Sequence, residues 1–223
     1  MNYDAAIRQT TDGRPIDALI AAYAAKTLCA PLAALVAAHL ELKPDNRAYV
    51  AALEAAHGVF LEELRPVPLA GRDRRLVNIF AAPDSSLSPA APDARVGSSG
   101  LLPRALRPWA GYDRDLRWRT RGAGVKEARL ARADETVRLV SVRPGKRLPI
   151  APAQGLTTAL VLAGCASDGR RDHARGDIIF VGDGAQDEPF ANGDEDCVCF
   201  AVGEPPITGH GSFRRVLQRL TGG

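Results

Sequence analysis

The hydrophobic rhythm of the chain changes partway along. Over residues 16–64 apolar positions recur every three or four residues, the spacing of one helix face, in a stretch rich in Ala, Leu and Glu. Asp17 is placed as the N-cap of a helix carrying Leu19, Ile20, Tyr23 and Ala24 to about Leu28. Pro31 suits the first turn of a second helix, with Leu32, Leu35, Val36 and His39, that runs to about Leu42. Pro44 restarts the chain, and residues 45–64 read as a third helix with Tyr49, Leu53, Ala56, Phe60 and Leu64 on one side. Pro66 and Pro68 end it. Leu69 to Phe80 then form a short fourth helix, with Leu69, Leu76 and Phe80 apolar and Arg72, Arg74 and Arg75 outside.

Residues 81–104 are Ala, Pro, Ser, Asp and Gly with little to pack, which makes them a linker and the domain boundary. Beyond it the period shortens to that of strands. Trp118–Thr120, Val125–Leu130, Val137–Val142, Thr158–Leu162, Ile178–Val181 and Cys197–Val202 read as strands. Turns at Pro144-Gly145, Gly176-Asp177 and Gly182-Asp183-Gly184 separate them. Many short strands of this kind build a sandwich or small barrel. Phe213 to Leu220 look like a short basic helix. The layout expected is α + β in two domains: a helical bundle at 1–80, a linker at 81–104, a β-barrel at 105–205 and a C-terminal helix and tail at 206–223.

Composition narrows the function classes. At 223 residues, 46% hydrophobic and 25% charged, the chain suits one large or two small globular domains. A net charge of +3 is too small to argue for nucleic acid, and no apolar run reaches the roughly 18 residues of a membrane span. Residues 1–15 contain Asp4, Asp12 and Arg14 and do not resemble a signal peptide. None of the four cysteines, Cys29, Cys165, Cys197 and Cys199, forms a Cys-x-x-Cys pair, so reduced thiols in a cytoplasm are expected. Cys197 and Cys199 stand two apart on a strand, where a disulfide is geometrically poor, and Cys165 follows Gly164 in a turn as the more reactive thiol. There is no Gly-x-x-x-x-Gly-Lys loop for nucleotide phosphates, and no nucleophile beside a base.

The segment from Gly145 to Asn192 carries the most specific pattern. Gly145 is followed after five residues by Ala151-Pro152-Ala153, then after three by Thr157 and after six by Gly164. Gly176 is followed after five residues by Gly182-Asp183-Gly184 and after two more by Asp187, with Asn192 nearby. This spacing resembles the two motifs of cupin barrels, in which the positions of Ala151, Ala153, Thr157 and Asp187 hold His, His, Glu and His. Imidazoles and a carboxylate suit divalent transition metals, whereas alanine has no donor and threonine is a poor one. The resemblance therefore implies a cupin barrel, or double-stranded β-helix, without its metal. Its pocket is small and mostly apolar, fit for a small organic ligand or filled by side chains. Asp187 either bonds such a ligand or faces water in a turn.

Further segments extend the likeness. Leu19-Ile20-Ala21-Ala22-Tyr23-Ala24-Ala25, Thr27-Leu28, His39-Leu40-Glu41-Leu42, Asp115-Leu116-Arg117-Trp118-Arg119-Thr120, Leu160-Val161-Leu162-Ala163-Gly164, Gly176-Asp177-Ile178 and Asp196-Cys197-Val198-Cys199 occur in that order. Together they resemble the ChrR family of anti-sigma factors, in which a helical domain clamps an extracytoplasmic-function sigma factor and a C-terminal cupin senses the signal. The resemblance implies a zinc site in the helical domain built from an early His, a second His and a Cys-x-x-Cys. Here His39 matches the second His, Lys43 and Asn46 stand at the cysteine positions, and no histidine precedes His39. One ligand of four does not hold structural zinc, so no metal or other cofactor is expected, and the helices are expected to hold together by packing. His39 is a hydrogen-bonded structural residue on this reading. His57, His173 and His210 fall in a helix, a turn and a tail, without a partner at ligand spacing.

The function implied is that of a cytoplasmic transcription regulator that binds a sigma factor through residues 16–80, with Leu69, Arg72, Leu76 and Phe80 as contact residues and the cupin as sensor or support. Neither nucleic acid nor membrane is an expected partner. Two alternatives stay open: a ligand-binding cupin whose helices form a homodimer, and a cupin enzyme, which needs a metal or an acid–base pair in the barrel.

Overall fold

The computed structural model of the protein describes residues 15–81, 100–132, 136–150, 156–182 and 189–203. Helix α1 spans Pro15–Ala24, α2 Ala30–Leu42, α3 Arg47–Glu62 and α4 Arg72–Ala81, and a 3-10 turn over Pro44–Asn46 leads into α3. Helix α1 begins at Pro15 rather than being capped at Asp17, and stops short of Leu28. Lys26 adopts the left-handed conformation at φ 58, and the Thr27 N–H donates to the Ala22 carbonyl at 3.0 Å, the pairing that closes a helix C-terminus. Leu102, near the end of the expected linker, is buried, as are Leu106, Trp109 and Leu116 around the short helix α5 (Arg107–Ala110) beyond it. The tail from 204 onward, with Phe213–Leu220 and His210, lies outside the described residues, as do residues 82–99 of the linker.

The β-region is wholly antiparallel. Strands β1 (Trp118–Gly122), β2 (Val125–Ala128), β3 (Val137–Val142), β4 (Leu156–Ala163), β7 (Ile178–Gly182) and β9 (Cys197–Gly203) form one sheet in the order β1-β2-β3-β9-β4-β7. A second, small sheet has the order β6-β5-β8, from Asp172–His173, Ala166–Ser167 and Phe190–Ala191. Those three two-residue strands are too short to leave a periodic signature. Gly164 turns the chain between β4 and β5 at φ 66, and a Cβ there would lie 2.6 Å from the Asp196 carbonyl oxygen. This motif position admits only glycine.

At the centre of the large sheet both faces are buried, which explains why β4 and β9 are almost uninterruptedly apolar. Along β9, Cys197, Cys199 and Ala201 join Ala159, Val161, Val140 and Ile179 in the interior of the roll. Val198, Phe200 and Val202 point the other way and share a core with Leu139, Leu160 and Leu162. That second core also contains Leu19, Ile20, Leu35 and Val36 of α1 and α2. The helices therefore do not close a core of their own, as packing alone within a small bundle would require. They complete the outer face of the sheet, where each fully buried Leu, Ile or Phe contributes about 1.5–3 kcal/mol.

Candidate functional site

His39, Lys43 and Asn46, the positions at which the resemblance implies a zinc site, lie at the seam between α2 and the barrel. His39, near the end of α2, is 2% exposed, and its Nδ1–H donates to the carbonyl of Gly176, on the turn before β7, at 2.6 Å. Since Nδ1 must carry the proton to face a carbonyl, Nε2 is the acceptor, and the Asn46 amide donates to it at 2.8 Å. One turn beyond His39, the Lys43 ammonium pairs with an Asp177 carboxylate oxygen at 2.9 Å, while the other oxygen accepts the Ala174 N–H at 2.9 Å. Gly176 has φ 88, and a Cβ there would come within 2.8 Å of Lys43 Cγ and 3.0 Å of Leu42 Cβ. The seam thus closes backbone against helix, with four polar side chains, His39, Asn46, Lys43 and Asp177, locking it.

This donor set does not fit zinc. Both ring nitrogens of His39 are committed, Lys43 presents an ammonium, and Asn46 turns its N–H to the imidazole. Among the described residues no three of His, Cys, Asp or Glu come together as a metal site. The cluster works as a clasp between α2 and the barrel.

Its electrostatics follow from burial. Burial drives the His39 pKa below the ordinary value near 6.5, against the Gly176 carbonyl and the Asp177 carboxylate, and with help from Lys43. Burial alone would raise the Asp177 carboxyl, but the Lys43 ammonium and the Ala174 N–H outweigh it and hold the group below the usual carboxylate range. A His whose folded pKa is depressed takes up its proton first in the unfolded chain. Its contribution is therefore complete above about pH 6.5 and lost as pH falls below it. The fall in melting temperature from pH 7.5 to 5.5 is expected to be smaller in His39→Gln than in the unaltered protein. An equal fall in both would show that His39 does not govern it.

The second cupin-derived cluster is only partly described. Thr157 is buried on β4, on the same face as Ala159 and Val161 and paired across the sheet with Val181 and Gly203. Ala151, Ala153 and Asp187 lie outside the described residues. Deeper in the roll, the Sγ atoms of Cys197 and Cys199 lie 3.6 Å apart as free thiols, and the neighbouring Cys197 sulfur together with burial pushes the Cys199 thiol up. Cys165 is half-buried, not turned out to solvent, and burial and the Asp172 carboxylate raise its pKa, which disfavours the reactive thiolate. His173 is likewise no turn residue. It is buried in β6 and its Nε2 lies 2.9 Å from an Asp168 carboxylate oxygen. Burial would raise Asp168, yet that contact and the N–H groups of Arg171 and Arg170 bring it down to about 2.

The third set, Leu69, Arg72, Leu76 and Phe80, lies on and just before α4. No residue of this helix is buried; Leu76 is half-buried and Phe80 is 83% exposed. Arg72 pairs only locally, with Asp73 at 3.2 Å. Sequence periodicity missed the rest of this surface, since it assigned Phe60 and Leu64 to the packed side of α3. In the structure Val59, Phe60, Leu61, Leu64 and Val67 are exposed, as are Val77 and Ile79, whereas Val50 near the start of α3 is buried. A dense apolar run after the last helix–barrel contact is the signal that marks them. Single exposed apolar side chains are ordinary, but a contiguous set marks an interaction surface.

No family model matches the sequence. The anti-sigma-E factor ChrR of Cereibacter sphaeroides is 34% identical over 207 residues, which cover 91% of this chain and 94% of ChrR. Among solved structures, a chain of the crystal structure of Rhodobacter sphaeroides SigE in complex with the anti-sigma ChrR aligns with a TM-score of 0.68 at 32% identity, covering 84% of this chain and 96% of that one. An RmlC-like cupin protein from Ralstonia eutropha aligns at 14% identity and a TM-score of 0.32, over 49% of this chain and 85% of its own. On the strength of the near full-length identity to ChrR, the chain belongs to the ChrR family of anti-sigma factors.

Proposed function

We propose that the protein sequesters an extracytoplasmic-function sigma factor, using the exposed apolar strip from Val59 to Phe80 as the contact surface and the cupin roll as a metal-free sensor or support. The observation that carries this reading is the contrast within the helical region. Leu19, Ile20, Leu35 and Val36 are fully buried against the sheet, while Phe60, Leu64, Leu69, Ile79 and Phe80 are all more than half exposed. A helix with an unpartnered apolar face is stabilised by laying that face against a groove of another protein. Each large side chain so covered contributes about 1.5–3 kcal/mol before the costs of association. Arg72, Arg74 and Arg75 flank the strip and steer an acidic partner surface. The mechanism is occlusion, with no covalent step: sigma surfaces needed by polymerase are hidden. Among the described residues no helix is long and apolar enough to cross a membrane.

The test is titration calorimetry of the full chain with a SigE-type sigma factor, alongside light scattering of the chain alone. Saturable one-to-one binding by a monomer supports the reading. A stable dimer that ignores the sigma factor would overturn it in favour of a ligand-binding cupin with a helical dimerisation module.

A further inference from the structure

The large sheet ends at β1, which pairs with β2 on one side and, among the described residues, with no strand on the other. The Arg129 N–H donates to the Arg117 carbonyl at 3.1 Å, and Arg119 lies opposite Glu127. Backbone hydrogen-bonding groups alternate in direction along an antiparallel strand. Arg117 and Arg119 therefore turn theirs toward β2, while Trp118 and Thr120 turn their N–H and C=O groups to the open edge. Such an edge is a template for a further strand.

The side chains alternate as strictly. Trp118 packs against the core shared with the helices, so Arg117, Arg119 and Arg121 stand on the opposite face, and all three are exposed. Arg121 is neutralised by Glu127 at 2.6 Å. Among the described residues Arg117, Arg119 and Arg129 make no ion pair. Arg129 lies across from Arg117, and Arg138 of β3 adjoins it, because the residues next to them, Ala128 and Leu139, are paired. Arg138 donates a long bond to the Pro149 carbonyl at 3.5 Å. Like charges set opposite one another across strands are destabilising. Arginines on an edge strand deter self-pairing, since a second β1 would set arginine against arginine. That role accounts for β1, but it calls for neither Arg129 nor Arg138 behind the edge.

We propose that the free edge of β1 docks an extended acidic segment of a partner protein, with Asp or Glu at every second position, as an added antiparallel strand. Alternate side chains of an extended segment lie about 6.6 Å apart, the repeat of Arg117 and Arg119. Carboxylates opposite these two would sit in non-hydrogen-bonded pairs, where cross-strand side chains come closest. The main chain supplies affinity through Trp118 and Thr120, and the arginines supply selection: they repel a second copy and attract an acidic strand. The site goes beyond sigma-factor sequestration and uses neither α4 nor the apolar strip.

Fluorescence anisotropy of the full chain with a labelled peptide of alternating Thr and Glu, at low ionic strength, tests this. The expected result is saturable one-to-one binding with Kd below about 1 mM. A peptide of the same composition with its glutamates in one block should bind about tenfold more weakly or worse, because it cannot present them on one face. Arg119→Glu, at an exposed position, should weaken the alternating peptide by about tenfold or more, as attraction becomes repulsion. Arg72→Gln, on α4, should bind as the unaltered protein does. Thr120→Pro removes an N–H at the open edge and should weaken the peptide with circular dichroism unchanged; if that variant unfolds, Arg119→Glu and the block peptide decide. Equal binding of the two peptides, or full affinity in Arg119→Glu, would overturn the proposal. Tighter binding of a short DNA duplex, lost in Arg119→Glu, would overturn it in favour of phosphate backbones.

Discussion

Replacing Ile79 and Phe80 together by aspartate is expected to weaken sigma-factor binding by about a hundredfold or more while leaving thermal unfolding unchanged. The two readouts separate because these side chains have little packing to lose in the free protein: Phe80 is 83% and Ile79 67% exposed, and no residue of α4 is fully buried. Surface substitutions of that kind shift stability by about 0.5 kcal/mol at most. In a complex the same positions would be desolvated. Truncating an aromatic anchor at the centre of an interface costs about 2 kcal/mol or more, and a buried unpaired carboxylate costs further. Two such changes on one helix turn exceed the roughly 2.7 kcal/mol of a hundredfold loss. Arg72→Glu should act differently, slowing association more than it speeds dissociation, since Arg72 lies at the edge of the apolar strip. Unaltered affinity of the double variant in calorimetry would move the interface away from α4.

Gly176→Val is expected to unseat α2 from the barrel, lowering stability by about 3 kcal/mol or more. Two effects combine. A β-branched residue held at φ 88 carries backbone strain of about 1–3 kcal/mol. Its Cβ would also meet Lys43 Cγ at 2.8 Å, which can swing away, and Leu42 Cβ at 3.0 Å, which is fixed to the helix backbone. Overpacking of this kind costs about another 1–3 kcal/mol. Relief requires the turn to move, and the Gly176 carbonyl then loses the His39 N–H. Buried His39 without its acceptor adds a penalty of about 1–3 kcal/mol. Gly145→Val is the matched control, because Gly145 also has positive φ, at 72, but a Cβ there meets nothing within 4 Å. A chain of this size loses about 2–4 °C of melting temperature per kcal/mol, so the Gly176 variant should melt clearly below the Gly145 variant. Equal melting temperatures would mean that strain alone matters and that the seam is loose.

Much of the fold was legible in the order of residues. The helical spacing of Leu32, Leu35, Val36 and His39, and the alternation through Cys197–Val202, each reflect a backbone geometry that acts over a few residues. The six strands of the large sheet fall within one or two residues of their expected bounds. The cupin glycines Gly164 and Gly176 could be placed because a left-handed turn demands glycine wherever it occurs in a chain. The two-residue strands β5, β6 and β8 could not, since pairing across the sheet, not propensity, holds them.

The residues by themselves also determined which donors this seam can offer. Lys43 and Asn46 carry no thiolate, whatever their arrangement in space. What those side chains do was decided only by tertiary structure. Gly176 and Asp177 lie more than 130 residues from His39 and Lys43 in sequence, and nothing local to either segment requires the other. The same holds for apolar residues. Phe60 and Phe80 obey the helical period as well as Leu35 does, but Leu35 finds the sheet and they do not. Periodicity records which face of a helix is apolar; whether that face is covered depends on what the rest of the chain brings to it, and no residue of α4 is fully buried.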